Sequence, residues 1–405
     1  MPLSSYQAPG VYVEEVSSGG RPIQAVGTST AGFVGVAPNP KAYPNKARAI
    51  NNWTQFLKEF TADGAASTPL SHAVNGFFAN GGGRCYVVNI GSNGVLSGGK
   101  EPSGLDVLES VDDISMVAIP GYTDAVSYEA ALTHCEKLKD RIAILDAADP
   151  VSDIDRLVKV ATAPVPGKGD GKQPDTKSAD ADGGLRPRPS ASGYGAFYFP
   201  WIVIRDPLNP KNLVTVPPSG HMAGIYARTD ATRGVHKAPA NEAVRGAVNV
   251  TYRLTSEEQG QLNPNGINCI RLFSGDGILV WGARTLADAA SPWRYVNVRR
   301  LFIMLEQSIA RATRGVVFEP NDPSLWKSIR RDVGHFLQLV WRDGALMGAT
   351  PEEAFFVKCD SETNPQEVID AGQVVILIGV APVKPAEFVI FRIGQTASGA
   401  QTEIL

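Results

Sequence analysis

Cysteine, histidine and long apolar runs are scarce in this chain of 405 residues. Its four cysteines, Cys85, Cys135, Cys269 and Cys359, lie far apart and form no Cys-x-x-Cys pair, and its five histidines are scattered. A zinc site therefore has no support, and each cysteine is expected to be a small buried hydrophobic residue. We predict no metal and no cofactor. Because no apolar run approaches about eighteen residues, we also expect no membrane-spanning helix.

Sequence motifs of nucleotide-binding and hydrolytic enzymes are also missing. The chain contains no Gly-x-x-x-x-Gly-Lys-Ser/Thr loop, no Gly-x-Gly-x-x-Gly after a strand and no Gly-x-Ser-x-Gly turn. No nucleophile, base and orienting group can be nominated together, so a non-enzymatic role is favoured. An enzyme with an α/β core, such as a hydrolase using a sheet at 114–163, stays open as an alternative, as does a shell-forming protein of some other assembly.

Charge and composition indicate an ordinary globular protein. The formal net charge is −3, with 43% hydrophobic and 20% charged residues. That balance argues against coating nucleic acid or a membrane surface, so we expect neither partner. The first six residues lack a basic region followed by an apolar run, and assembly in the cytoplasm is expected. The length predicts more than one domain.

Apolar periodicity predicts a mixed α/β fold in which helices flank a central sheet. Helical spacing occurs at 53–60, 70–79, 126–139, 153–163 and 297–313, and Asp322-Pro323 begins another helix that ends near Gly344. Strand, helix and strand alternate over 114–145, which predicts a parallel sheet. Capping boxes are expected at 350–353 and 364–367. Residues 164–193 contain almost no large apolar residue and are expected to form a disordered or surface loop.

The segment 386–393 is a strand pattern that is apolar on both faces. Phe388 and Ile390 lie on one face, and Val389, Phe391 and Ile393 lie on the other. Such a strand at an exposed edge invites aggregation. It must therefore lie within a sheet of its own chain or be received by a sheet of another chain.

The beginning of the chain carries a second strand pattern. It lies between a Pro-Gly turn and Ser17-Ser18-Gly19-Gly20, and its proposed pairing residues are Val11, Tyr12, Val13, Glu14 and Val16. Two strand-like ends, each joined by a turn-forming stretch, predict arms that pair with neighbouring molecules.

Arginine is dense between residues 294 and 342. One interpretation is a solvated helix face. The other is a polar face that meets an acidic partner surface.

Ordered segments across nearly the whole chain, apart from 164–193, resemble the contractile tail sheath proteins of phage tails, R-type pyocins and extracellular contractile injection systems. Examples are Pro9-Gly10-Val11-Tyr12-Val13-Glu14-Glu15-Val16 and Phe318-Glu319-Pro320-Asn321-Asp322. The other segments are 25–35, 76–82, 84–88, 217–230, 234–241, 266–271, 281–286, 294–300 and 382–388.

The resemblance implies stacked six-subunit rings that form a helical sheath around an inner tube and contract to drive the tube through a target envelope. It implies partners of four kinds: further copies of the chain, an inner tube protein, a baseplate, and terminator or cap proteins. The particle would act inside the cell or after release by lysis. Sheath proteins place the C-terminal domain innermost, which makes Arg311, Arg314, Arg330 and Arg331 the candidate contacts to the tube.

The domain organisation predicted from these patterns has five parts. They are an N-terminal arm (1–24), the first part of a core domain (25–95), an α/β outer domain with its loop at 164–193 (96–215), an inner C-terminal core domain (216–383) and a C-terminal arm (384–405).

Overall fold

The structure is a computed structural model that describes residues 23–99, 101–162 and 183–390. Its strands are β1 (Ala31–Gly35), β2 (Arg48–Ile50), β3 (Cys85–Asn89), β4 (Met116–Ala118), β5 (Ile142–Asp146), β6 (Gly195–Phe199), β7 (Ile202–Arg205), β8 (Leu213–Val216), β9 (Glu242–Ala243), β10 (Ala247–Val250), β11 (Ile267–Phe273), β12 (Gly277–Val280), β13 (Phe355–Lys358) and β14 (Leu377–Val380).

The helices, in chain order, are α1 (Trp53–Phe60), α2 (Pro69–Ala79), α3 (Ala125–Leu138), α4 (Asp155–Val158), α5 (Ser219–Arg233), α6 (Ser256–Leu262), α7 (Val296–Thr313), α8 (Pro323–Arg342), α9 (Pro351–Ala354) and α10 (Gln366–Asp370). Within the described residues no helix is long and apolar enough to cross a membrane.

A nine-stranded sheet forms the centre of the fold, in the order β2-β3-β1-β4-β5-β6-β11-β12-β9. The six strands from β3 to β11 run parallel, and β2, β12 and β9 are antiparallel to their neighbours. Every residue of β5 and β6 is buried, as expected for parallel strands covered on both faces. The predicted strand–helix–strand unit is confirmed as β4-α3-β5.

Helices cover both faces of this sheet because successive side chains of a strand point in opposite directions. Ile142 and Ile144 of β5 pack into the core beneath α2 and α5. Ala143 and Leu145 pack into the opposite core beneath α3. The two cores together hold the sheet between layers of helix.

Helices α2 and α5 pack closely through glycine. A Cβ atom at Gly76 would lie 2.3 Å from His221 Nδ1. We expect Gly76→Ala to lower the free energy of unfolding by about 1–3 kcal/mol through overpacking. Gly334→Ala in α8 is the matched control, because nothing lies within 4 Å of its new Cβ, and it should stabilise by about 1 kcal/mol. Equal shifts for both variants in denaturant unfolding would contradict this packing.

A separate hydrophobic cluster joins α7, α8 and the two-stranded sheet β13–β14. Asp322 caps α8 by accepting a hydrogen bond from the Leu325 backbone N–H, with Pro323 at the first helical position, as predicted. Of eight apolar residues that the sequence places along this helix, six are buried and Leu325 and Trp341 are partly buried; the buried six are Trp326, Ile329, Val333, Phe336, Leu337 and Val340.

Residues 164–193 were predicted to be a disordered or surface loop; residues 183–193 form an ordered, mostly irregular segment, so of these two alternatives disorder is wrong for that part. The Arg188 guanidinium binds Glu129 (2.6 Å) and Glu136 (2.9 Å) on α3, and Ser190 Oγ donates to Glu136 at 2.6 Å. Polar side chains therefore hold this segment where apolar residues are lacking. Residues 163–182 lie outside the described part of the chain.

Three further predictions need correction. The helix expected at 153–163 is only the four residues of α4. The Thr350 side chain makes no capping bond, and Glu353 accepts from the Ala349 backbone N–H instead. The Asn364 side chain is buried and bonds to Val375, so it does not cap α10. The domain boundaries stay predictions, and the nine-stranded sheet runs across those at 95/96 and 215/216.

Candidate intersubunit surfaces

The C-terminal segment leaves the body of the protein just beyond β14. Two backbone hydrogen bonds, Met347 N–H to Ala381 O (2.8 Å) and Val383 N–H to Ala345 O (3.2 Å), hold its first residues. Leu346 and Pro382 form an antiparallel bridge between these bonds. The described chain beyond Val383 is not in a strand.

Glu387 ties this segment to the nine-stranded domain through Arg284. Arg284 Nε and Nη2 donate to the two carboxylate oxygens of Glu387 at 2.8 and 2.5 Å, and the Tyr295 hydroxyl donates at 3.3 Å. Burial would raise the pKa of Glu387, but the hydrogen bond and charge of Arg284 hold it below its ordinary value. The ion pair therefore persists at neutral pH and is lost only as the pH falls below the usual range of a glutamate.

Three apolar side chains directly after Glu387 are exposed to solvent. Phe388 is 72% exposed, Val389 72% and Ile390 81%. They pair with no strand of the described chain. The described residues therefore do not show the first alternative, in which this segment lies within a sheet of its own chain. Phe391 and Ile393 lie outside the described residues. The same holds for the N-terminal arm residues Val11, Tyr12, Val13, Glu14 and Val16.

A cleft of about 760 Å³ separates the C-terminal segment from the body. Val383 to Val389 line one wall, and Lys237, Arg271 and Trp281 are among the residues of the other. The segment therefore bridges the surface and does not pack into it along its length.

The sheet β13–β14 offers free backbone edges. Its register pairs Phe355 with Val380 and Lys358 with Leu377, and no third strand joins it in the described part of the chain. One face packs on the cluster beneath α8, whereas Phe356 (53%) and Leu377 (52%) are exposed. Because a two-stranded sheet is marginally stable by itself, such edges suit an added strand.

The four candidate tube-contact arginines have different surroundings. Arg311 and Arg314, at the end of α7, lie beside Asp112 and Asp113. Arg330 donates to the Cys359 carbonyl at 3.0 Å and so serves the fold. Arg331 is exposed and pairs with Asp332 at 2.9 Å. The Arg314 and Arg331 side chains are 70% and 58% exposed, against 32% for Arg311.

Other arginines of the same dense region are buried, so the solvated-face interpretation is wrong for them. Arg300 is 3% exposed and pairs with Asp230 at 2.6 Å. Arg299 is also 3% exposed and stacks 4.2 Å from the centre of the Trp293 ring. These side chains join α7 to the rest of the fold.

In the region of the hydrolase alternative, the most deeply buried pairing of a hydroxyl with a carboxylate joins Ser219 to Asp146. Ser219 donates to Asp146 at the end of β5 through both its backbone N–H and its hydroxyl, each at 2.7 Å. Burial raises the pKa of Asp146 to about 7. Ser219 is fully buried and Asp146 is 2% exposed, so the pair anchors the start of α5. Among the described residues no group of three His, Cys, Asp or Glu could hold a metal ion.

Two family models match the chain. Residues 189–286 match the phage tail sheath protein central domain, and residues 288–396 match the phage tail sheath C-terminal domain. Curated relatives include the tail sheath proteins of Salmonella phage ViI (28% identity over 67% of this chain and 42% of that protein) and Enterobacteria phage T4 (30% identity over 47% and 28%). The matched part spans less than half the length of these phage proteins.

Solved structures match over nearly the full length. The PVC sheath complex of an extracellular contractile injection system, in its contracted state, is 32% identical, with coverage of 98% of this chain and 99% of that chain and a TM-score of 0.73. The contracted helical sheath of the anti-feeding prophage is 29% identical, with coverage of 97% and 100% and a TM-score of 0.72. The fold is thus that of the sheath subunits of contractile injection systems. The chain belongs to the contractile tail sheath protein family.

Sequence reasoning missed the Arg284–Glu387 pair. Both residues fell within segments that resemble the family, yet they are 103 positions apart and no local pattern links them. The one indication in the sequence was the carboxylate of Glu387 at the start of an apolar strand pattern.

Proposed function

We propose that this chain is the structural subunit of a contractile injection apparatus. Copies polymerise as stacked six-subunit rings around an inner tube, and the sheath contracts to drive the tube through a target envelope. The exposed apolar run Phe388, Val389 and Ile390 carries the proposal, since it has no partner within the described chain. The likeness to two sheaths solved in the contracted state supports it.

Strand exchange would join the subunits. Residues 388–393 of one copy add to a free edge of β13 or β14 in another, and residues 11–16 make a second such connection. Backbone hydrogen bonds then tether neighbours while the remaining surfaces change their packing. Head-to-tail contacts of this kind build a helical assembly of subunits when they do not close into a ring.

Energy for contraction would come from repacking of the extended lattice. The chain has no Gly-x-x-x-x-Gly-Lys-Ser/Thr loop, so its role is structural and not enzymatic in this proposal. The partners would be further copies, an inner tube protein, a baseplate and terminator or cap proteins. The anti-feeding prophage baseplate structures, which contain a chain similar to this one, support the baseplate contact. Assembly would take place in the cytoplasm, without nucleic acid or membrane insertion.

Negative-stain electron microscopy of the expressed chain tests this proposal. We expect long hollow tubes with helical ridges. A uniform population of small particles across protein and salt concentrations would contradict it.

Contact with the inner tube is proposed for two accessible arginines, Arg314 directly after α7 and Arg331 in the middle of α8. We expect the double variant Arg314→Glu and Arg331→Glu to lower the tube content of purified particles about tenfold or more, because like charges across an interface cost several kcal/mol. Arg205→Glu, an exposed arginine of β7 on the predicted outer side, is the matched control. Unchanged tube content in the double variant would refute the assignment.

A further inference from the structure

The Arg284 side chain forms a preorganised binding site for a carboxylate. Its guanidinium grips Glu387 with two parallel hydrogen bonds, the geometry that makes Arg–carboxylate pairs both strong and directional. The two side chains are only 9% and 16% exposed. The pair is therefore shielded from solvent, unlike the surface ion pairs that contribute little.

Neighbouring groups hold Arg284 in place independently of Glu387. The Asn268 side chain on β11, fully buried, binds both the backbone N–H and the backbone carbonyl of Arg284, each at 2.7 Å. Arg284 Nη1 donates to the Asn263 carbonyl at 3.1 Å. The Tyr295 hydroxyl completes the site. A side chain positioned this firmly is preorganised to bind the Glu387 carboxylate.

The position of Glu387 in the sequence determines what its binding to Arg284 can fix. Backbone pairing of the C-terminal segment ends at Val383, and Glu387 is fixed again four residues later, immediately before the exposed Phe388. Because strand side chains alternate with a period of two, a slip of one residue would exchange the face of Phe388 and Ile390 for that of Val389. Because Glu387 is fixed directly before the strand, such a one-residue slip is prevented.

We propose that Arg284, Asn268 and Tyr295 form a clamp for Glu387, which fixes the direction and register in which residues 388–393 meet a second copy of the chain. The inference rests on the proposed strand exchange and names the residues that position it. Glu387 is a positioning residue in this account, and the pairing surface itself lies beyond it.

Double electron–electron resonance on the dilute full-length chain measures the clamp directly. Spin labels at Ser256→Cys and Ile390→Cys report the distance across the cleft, and the four native cysteines are buried and resist labelling. With Glu387 intact we expect one narrow distance distribution. Glu387→Gln keeps the shape but loses the charge, and a broad distribution is expected. An unchanged narrow distribution would overturn the clamp.

Matched variants separate the clamp from general damage. Glu59→Gln breaks an arginine–glutamate pair elsewhere, with Arg48 at the far edge of the sheet, and should leave the distribution narrow. Glu387→Asp retains the carboxylate and should restore part of the narrow component. If Glu59→Gln broadens the distribution as much as Glu387→Gln, the effect is not specific to the clamp and the proposal falls.

Assembly distinguishes this inference from the proposed function. We expect Glu387→Gln to build short or irregular sheaths, whereas deletion of 388–405 builds none. If the deletion abolishes assembly but Glu387→Gln gives sheaths of normal length and helical order, strand exchange stands and the clamp is wrong. If the deletion assembles normally, strand exchange itself is wrong.

Discussion

Removal of residues 388–405 is expected to yield a folded subunit that builds no sheath. Phe388, Val389 and Ile390 are the described residues of the proposed exchanged strand, and burying such side chains contributes roughly 1.5–3 kcal/mol each. Their loss, together with the backbone hydrogen bonds of the added strand, weakens each intersubunit contact by more than about a thousandfold. The truncation ends after Glu387, so the ion pair with Arg284 is kept. Electron microscopy of the purified protein shows whether tubes form.

A substitution with a matched control makes the same test without shortening the chain. Phe388→Asp with Ile390→Asp should abolish tubes while circular dichroism and thermal unfolding stay as in the unmodified protein. Leu213→Asp with Val248→Asp places two carboxylates on exposed apolar positions of β8 and β10, away from the arm, and should leave tubes intact. Normal tubes from either the truncation or the Phe388/Ile390 variant would show that the arm does not join subunits.

Asp230→Ala is expected to give the largest loss of stability. Asp230 on α5 accepts two hydrogen bonds from Arg300 on α7, at 2.6 and 2.8 Å, and a third from the Thr28 hydroxyl at 2.6 Å. Burial lowers the pKa of Arg300, but the Asp230 carboxylate raises it above its ordinary value, so the cation persists. Removal of the aspartate leaves that charge buried and unpaired, which costs about 3–5 kcal/mol.

Denaturant unfolding measures this loss, and an exposed ion pair of the same type provides the control. Asp332→Ala removes the partner of Arg331, whose side chain is 58% exposed, and should change the free energy of unfolding by about 0–1 kcal/mol. An equally small effect of Asp230→Ala would contradict the role of the buried pair. Because Arg300 also donates to the Thr28 carbonyl at 2.9 Å, the pair ties the segment that follows the N-terminal arm to α5 and α7.

Local patterns were sufficient to predict α1, α2, α3, α7 and α8, whereas α5 and α6 were not predicted and α4 is shorter than expected. Helix α1 has the predicted bounds because Trp53, Phe56, Leu57 and Phe60 recur at helical spacing, and α8 begins where Asp322-Pro323 predicts. These signals lie within a few residues of each other. The same reasoning failed at Thr350 and Asn364, where tertiary hydrogen bonds took the side chains away from their predicted caps.

Long-range arrangement was not predictable from the sequence in this way. The pairing of β6 with β11, and the position of β9 at one sheet edge, depend on contacts between distant segments. The burial of Arg299 and Arg300 could not be inferred, because an arginine-rich helix has the same pattern whether its partners are water or the aromatic and acidic residues seen here. The C-terminal arm was predicted from its two apolar faces, whereas its clamp depends on Arg284, which no local pattern connects to it.

A cryo-electron microscopy map of sheaths assembled from the full chain tests the central claim most directly. The account predicts that residues 388–393 of each copy form a strand on the free edge of β13 or β14 of another copy, with Glu387 held by Arg284 of its own copy. A map in which residues 388–393 pack against their own copy, with no strand crossing between subunits, would contradict it.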